Sequence, residues 1–177
     1  MKRYLKLLIL TITTSLSAQL TVAVLDFEGI GVSDDEARAL SGRFGTEFMT
    51  LSKGVYILVE RNRMGQILKE QGFQNTGIVS SDDAVKMGEA LGADYLVTGS
   101  ISKVGSLFSI NARLLDIKTA EIIKSISHDH MGDIMDLMTK GIKESAIKLM
   151  DLKEKKETPS IAILPFENKG ADEDAFY

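Results

Sequence analysis

Two histidines separated by a single residue form the motif of this sequence that most resembles a metal site. His128 and His130 flank Asp129, and Asp133 follows three residues later. Side chains two residues apart on an extended strand point to the same side, so the two imidazoles could share a Zn²⁺ ion. Neither a third ligand nor a group that would orient the imidazoles is evident from the sequence. We therefore favour an exposed strand end, and keep His128 and His130 only as candidate metal ligands.

Two other motifs could do chemistry, and both have a structural interpretation. Gly29-Ile30-Gly31 lies between a strand and a helix, as a dinucleotide-binding loop does, but Asp34 occupies the place of the third glycine. Its carboxylate would stand where a pyrophosphate binds, so we predict a plain turn. Glu60-Arg61 opens a helix, where an acidic residue is favourable for structural reasons. The sequence has no P-loop motif, no G-x-S-x-G motif and no cysteine, so it offers none of these common sites for phosphate binding or nucleophilic catalysis, and we expect no cofactor.

A polar loop from Gly72 to Ser80 carries two apolar residues, Phe73 and Ile78. We predict that they contact a partner, and packing back onto the following helix is the alternative. The methionines near the C-terminal helix are interpreted as core residues, with an adaptable binding surface as the alternative: Met131, Met135, Met138 and Met150.

The remaining pattern predicts a scaffold of strands and helices. Thr21 to Glu28 is a short β-branched run, and Ser33 to Gly54 has apolar residues at helical spacing behind an N-cap candidate. Later runs extend the order to β-α-β-α-α-β-β-β-α, in which Lys118-Thr119-Ala120 joins two strands as a hairpin. The last helix is predicted from Met131 to Met150. The fold class is α/β, with a mixed five-stranded sheet, parallel early and antiparallel late, and helices packed on the sheet.

The two ends of the chain carry a targeting signal and a repeat. Three basic residues, an apolar segment and the small residue Ala18 are typical of a signal peptide. Near the C-terminus, SIAILPFENKG from Ser160 repeats TVAVLDFEGIG from Thr21, and a charged stretch without apolar periodicity precedes it. We therefore predict four segments: a signal peptide (1–18), a first domain (19–150), a charged linker (151–159) and the truncated start of a second similar domain (160–177).

Charge and cysteine content restrict the partners. The net charge is −4, and no basic block with interleaved aromatic residues occurs, which argues against a nucleic-acid partner. A signal peptide with three cations would take the mature charge from −4 to −7. An exported chain without cysteine forms no disulfide and has no residue to acylate. We expect a periplasmic protein that associates with the outer membrane only through partners.

Three segments resemble the CsgG family of curli-assembly proteins and the N-terminal domain of TolB. They are VAVLDFEG, VYILVERNRMGQILKEQGF and DDAVKMGEALGADYLVTGSIS. The resemblance covers roughly Thr21 to Met150, and its most specific piece is Lys86 to Gly99. It implies a non-catalytic envelope scaffold. CsgG channels, however, are lipidated at a cysteine and carry long membrane-inserting hairpins, whereas Val104-Gly105-Ser106 and Ser127 to Gly132 are too short to cross a bilayer.

The sequence therefore predicts an exported, non-enzymatic protein-interaction module of the CsgG/TolB-N-like type. Its expected role is contact with other envelope proteins in the assembly of an envelope or secretion apparatus, and an oligomer is compatible with that role. Two alternatives stay open. One is a subunit of a curli-type outer-membrane secretion channel, and the other is a metal-dependent enzyme that uses His128 and His130.

Overall fold

A computed structural model of the protein describes residues 19–73 and 80–151. Its strands are β1 (Leu20–Val24), β2 (Glu28–Ile30), β3 (Tyr56–Leu58), β4 (Tyr95–Val104), β5 (Leu107–Asp116) and β6 (Ile122–Met131). Its helices are α1 (Asp34–Ser52), α2 (Arg61–Glu70), α3 (Ser81–Leu91), α4 (Ile134–Asp136) and α5 (Ile142–Met150), with a π-helical turn (Leu137–Gly141) joining the last two.

The strands form one mixed sheet in the order β3-β1-β4-β5-β6, and β2 lies beside β4. β1 runs parallel to β3 and β4, whereas β4, β5 and β6 are antiparallel neighbours. The predicted fold class, a mixed α/β sheet that is parallel early and antiparallel late, is confirmed.

The sheet has six strands rather than the predicted five, because the run that begins at Thr21 pairs twice. β1 lies against the first half of β4, with Val22 opposite Tyr95. β2 then lies parallel to the second half, with Glu28 opposite Ser100. The plain turn predicted at Gly29-Ile30-Gly31 is therefore wrong: the long strand β4 offers a partner there, and the chain turns only at Gly31, where φ is +76°.

Helices cover both faces of the sheet and form two cores. The larger core joins α1 and α5 to one face, and its largest side chains include Phe27, Phe44, Phe48 and Phe108. The smaller core joins α2 and α3 to the other face of β1, β4 and β5 through Met64, Leu68 and Leu96, among others. The start of α1 was predicted correctly: Ser33 and Glu36 form a capping box, which satisfies two amides at the start of the helix.

The C-terminal helix begins later than the predicted Met131. β6 continues to Met131, which lies opposite Leu107 of β5. The chain then turns at Gly132, and the Asp133 carboxylate caps α4 by accepting a hydrogen bond from the backbone amide of Asp136. Pairing with β5 therefore overrides the helical spacing of the methionines.

Several predictions fall on other parts of the chain. The signal peptide (1–18), Ile78 of the proposed contact loop, most of the linker and the start of a second domain lie outside the described residues. Across 19–73 and 80–151, no helix is long and apolar enough to span a membrane.

Candidate functional site

The exposed strand end predicted for the two histidines is wrong for His128, which is 7% exposed. Both histidines lie on the face of β6 that α5 covers, and the helix adds a third candidate ligand. His128 is opposite Ile110 and His130 opposite Phe108, two buried residues of the larger core. Glu144 Oε2 lies 3.1 Å from His128 Nε2. One nitrogen from each histidine and one carboxylate oxygen of Glu144 all lie within 4.8 Å of one another.

A lysine of α5 determines which nitrogen of His128 carries the proton. Lys148 Nζ lies 2.9 Å from His128 Nδ1. An ammonium group only donates hydrogen bonds, so Nδ1 accepts and the proton of the neutral ring stays on Nε2, facing Glu144. Burial and the charge of Lys148 lower the pKa of His128, and Glu144 opposes them. His128 is therefore neutral at neutral pH.

His130 packs against Gly141 of the π-helical turn. A Cβ atom at Gly141 would lie 2.9 Å from His130 Cγ, so glycine at this position lets the π-helical turn rest on the imidazole. His130 Nε2 is buried, and none of the described residues hydrogen-bonds to it. A buried donor or acceptor without a partner costs about 1–3 kcal/mol, so this nitrogen is a suitable place for a ligand.

A buried ion pair lies at the carboxyl end of β1. Asp26, only 5% exposed, pairs with Arg61 at the start of α2, and the Nε atom of Arg38 lies 3.7 Å from its carboxylate. The side chain of the preceding Glu60 accepts hydrogen bonds from the backbone amides of Asn62 and Arg63 and so caps α2. Glu60 and Arg61 thus have structural partners, with the helix end and with Asp26.

Two cavities of about 250 and 390 Å³ are lined in part by this pair. Asp26 lines the first, together with Gly29 and Arg38. Arg61 lines the second, together with Gly42 and Gly45 of α1. Ligands of open α/β sheets often bind outside the carboxyl ends of the strands, but here Asp26 and Arg61 are already paired with each other.

Four exposed apolar residues lie on one face at one end of the sheet, and we call them the tip patch. Strand register places Val104 opposite Leu107 and Leu107 opposite Met131. Ile30 is opposite Ser102, two residues before Val104 on the same face. The four side chains are 39–77% exposed. Large apolar residues gathered on a surface in this way are typical of a protein contact.

Phe73 and the four methionines near the C-terminal helix differ in how far they are buried. Phe73 is half-buried and packs against the smaller core, and its contact with a partner stays a prediction. Met138 and Met150 pack against the larger core, but Met131 and Met135 are 74% and 62% exposed, so the core interpretation is wrong for these two. Met131 is the last residue of β6, and Met135 lies in the short helix α4.

Glu144 and Lys148, which complete the surroundings of the histidines, were not predicted from the sequence. A signal for both was present. Residues four apart on a helix share a face, so an acidic and a basic residue at 144 and 148 are expected to face the same neighbouring element of the fold. What the sequence did not supply was the identity of that neighbour.

The family model of CsgG, the curli production assembly/transport component, matches residues 48–109. This match confirms the predicted resemblance over a segment from the end of α1 to the first residues of β5. No curated protein sequence matches the chain.

Solved structures with a similar fold include the lipoprotein GNA1162 from Neisseria meningitidis. It is 13% identical with a TM-score of 0.50, and the alignment covers 73% of this chain and 98% of that one. The LpoB C-terminal domain from Salmonella enterica is 18% identical with a TM-score of 0.49, over 67% and 87% of the two chains. The PelC dodecamer from Paraburkholderia phytofirmans is 11% identical with a TM-score of 0.49, over 73% and 87%. These similarities concern the fold alone.

Proposed function

We propose that this chain is an exported, non-enzymatic protein-interaction module of the CsgG/TolB-N-like type. It contacts other envelope proteins in the periplasm during assembly of an envelope or secretion apparatus. The observation that carries the proposal is the tip patch, and the match to the CsgG family model supports the class of protein. Val104 and Leu107 of the patch fall inside the matched segment.

The shape of the tip patch favours a protein partner. Its residues come from β2, β4, β5 and β6, so they form a surface across the sheet rather than one protruding loop. β4 and β5 turn tightly at Gly105, where φ is +61°. The strands hold Val104 and Met131 exposed in fixed positions. A preformed apolar surface saves the ordering entropy that a flexible loop would lose on binding.

Site-specific photo-cross-linking in the native host tests the contact. A photoreactive residue at Val104 should cross-link to a discrete exported protein, identified by mass spectrometry, and Met131→Ser should abolish the product. Val55, which is 56% exposed and lies next to the edge strand β3, is the matched control position. Equal cross-linking from both positions, or a product from Val104 that survives Met131→Ser, would contradict the proposal.

Stability measurements separate a lost contact from a lost fold. Val104→Ser and Met131→Ser replace exposed side chains, so each should change the unfolding free energy by less than about 0.5 kcal/mol. The control Val55→Ser should behave in the same way and leave the cross-linked product intact.

Export and channel formation can be tested directly. The mature protein should start at Gln19 and appear in the periplasmic fraction, as mass spectrometry of fractionated cells would show. A chain that keeps its first 18 residues and stays in the cytoplasm would rule out an envelope role. Reproducible conductance of the purified protein in planar bilayers would support a secretion-channel subunit instead.

A further inference from the structure

We propose that His128, His130 and Glu144 form a binding site for a transition-metal dication, with Zn²⁺ as its representative. The site would tie strand β6 to helix α5. It does not depend on the role of the tip patch, which lies on the opposite face of the sheet.

The donor set and its spacing suit zinc. Two imidazole nitrogens and one carboxylate oxygen are common zinc ligands, and a water molecule would be the fourth in a tetrahedral site. With bonds of 2.0–2.1 Å, ligand atoms of such a site lie about 3.3 Å apart. The three atoms here are already within 4.8 Å of one another. The Glu144 side chain is 57% exposed and is therefore able to close the remaining gap.

The nitrogens that would bind the metal are the atoms that lack hydrogen bonds. Nε2 of His128 and Nε2 of His130 are both buried, and neither has a hydrogen-bond partner among the described residues. Glu144 Oε2 lies 3.1 Å from His128 Nε2 without forming a hydrogen bond with it. His128 is only 7% exposed, so solvent does not satisfy its Nε2. A metal ion would supply the missing partner to both rings at once.

Lys148 opposes the metal, and this gives the proposal a distinctive test. Its ammonium group holds the proton of His128 on Nε2, the nitrogen that the metal needs. Metal binding would move that proton to Nδ1, and Lys148 would have to turn away, which its exposed position permits. Removal of the ammonium group should therefore strengthen zinc binding.

Other charged groups near the histidines already have partners. Asp136 lies near His130, and its Oδ1 atom forms an ion pair with Lys140 Nζ at 2.9 Å. Asp129 lies between the histidines in sequence, but its side chain points to the opposite face. Its carboxylate accepts a hydrogen bond of 2.6 Å from the Ser109 hydroxyl. Asp129→Asn is therefore a matched control, since it removes an adjacent acid without touching the proposed site.

Zinc binding to the purified, metal-stripped chain should be measured by competition with a chelating dye and by isothermal calorimetry. We expect one Zn²⁺ per chain, a higher melting temperature with zinc, and the visible spectrum of tetrahedral Co²⁺ when cobalt replaces zinc. His130→Ala and Glu144→Gln should each weaken binding at least tenfold, and Asp129→Asn should leave it unchanged. Lys148→Met should strengthen it about tenfold, the low end of the effect of groups next to metal ligands.

Two results would overturn the proposal. One is the absence of saturable zinc binding in the wild type. The other is equal affinity in the wild type and Glu144→Gln, which would mean that the metal binds the two histidines only adventitiously. Because Glu144 is largely exposed, its substitution keeps the test valid even if His130→Ala fails to fold. Unchanged affinity in Lys148→Met would refute the competition between lysine and metal.

Discussion

Gly42→Ala should destabilise this protein, although the same change in an exposed part of a helix usually stabilises. Gly42 lies within α1, where the Arg61 side chain crosses the helix to reach Asp26. A Cβ atom at this position would lie 2.6 Å from Arg61 Nη1, and the other nearby atom also belongs to Arg61. The sign of the effect therefore depends on whether the arginine is able to move.

Two opposing terms set the magnitude. Replacing glycine by alanine within a helix gains about 1 kcal/mol. Breaking a buried ion pair costs about 3–5 kcal/mol, and we take about 2–3 here because the Arg61 side chain is one-third exposed. Arg38 compensates little, since its side chain is 61% exposed and 3.7 Å away from the carboxylate. The net expectation is a loss of about 1–2 kcal/mol.

A double-mutant cycle in urea provides the assay. In Arg61→Met, which has no guanidinium group to displace, Gly42→Ala should become stabilising by about 0.5–1 kcal/mol. Arg61→Met alone should lower the unfolding free energy by about 2–3 kcal/mol. The reasoning is refuted if Gly42→Ala stabilises the wild type, because the arginine would then give way at no cost and the ion pair would contribute little.

Three further predictions concern other parts of the scaffold. Gly88→Ala should destabilise the protein by about 1–3 kcal/mol, because the new Cβ would lie 2.4 Å from Ile117 side-chain atoms. Gly65→Ala in α2, which has open space around it, should stabilise the protein by about 0.4–1 kcal/mol. The same urea titration measures both. The pKa of Asp94 is lowered, first of all by the backbone amide of Thr21. The carboxylate therefore stabilises the fold at pH values above its usual pKa near 3.8. This contribution is lost as the pH falls below that value. Asp94→Asn should accordingly flatten the dependence of stability on pH in the acid range, and a slope equal to that of the wild type would show that the carboxylate has no preferred partner in the fold.

The fold was predictable where local chemistry and pattern agree. Ser33 begins α1 because its side chain caps the helix, and this needs only neighbouring residues. β2 was not predictable, since three residues with exposed ends carry no periodicity of their own. It exists because β4 is ten residues long and β1 pairs with only its first part. The late start of the C-terminal helix has the same kind of cause, namely the pairing of Met131 with Leu107.

The candidate metal site was half predictable, for a geometric reason. Alternation along a strand places His128 and His130 on one face, and that follows from sequence alone. Glu144 comes to them only because Gly141 lets the helix rest against His130, and that packing depends on the whole core. A helix that approached less closely would leave the same three residues too far apart for one ion.

The alternation of β6 also keeps the two proposed sites independent. Met131 belongs to the tip patch and His130 precedes it directly, so their side chains lie on opposite faces of the same strand. The two sites are therefore joined through the backbone of the strands, chiefly that of β6, which β5 holds along nearly its whole length. Met131→Ser should bind zinc as the wild type does, and Glu144→Gln should keep the cross-link from Val104. If either variant lost both properties, the two faces would instead act as one functional unit.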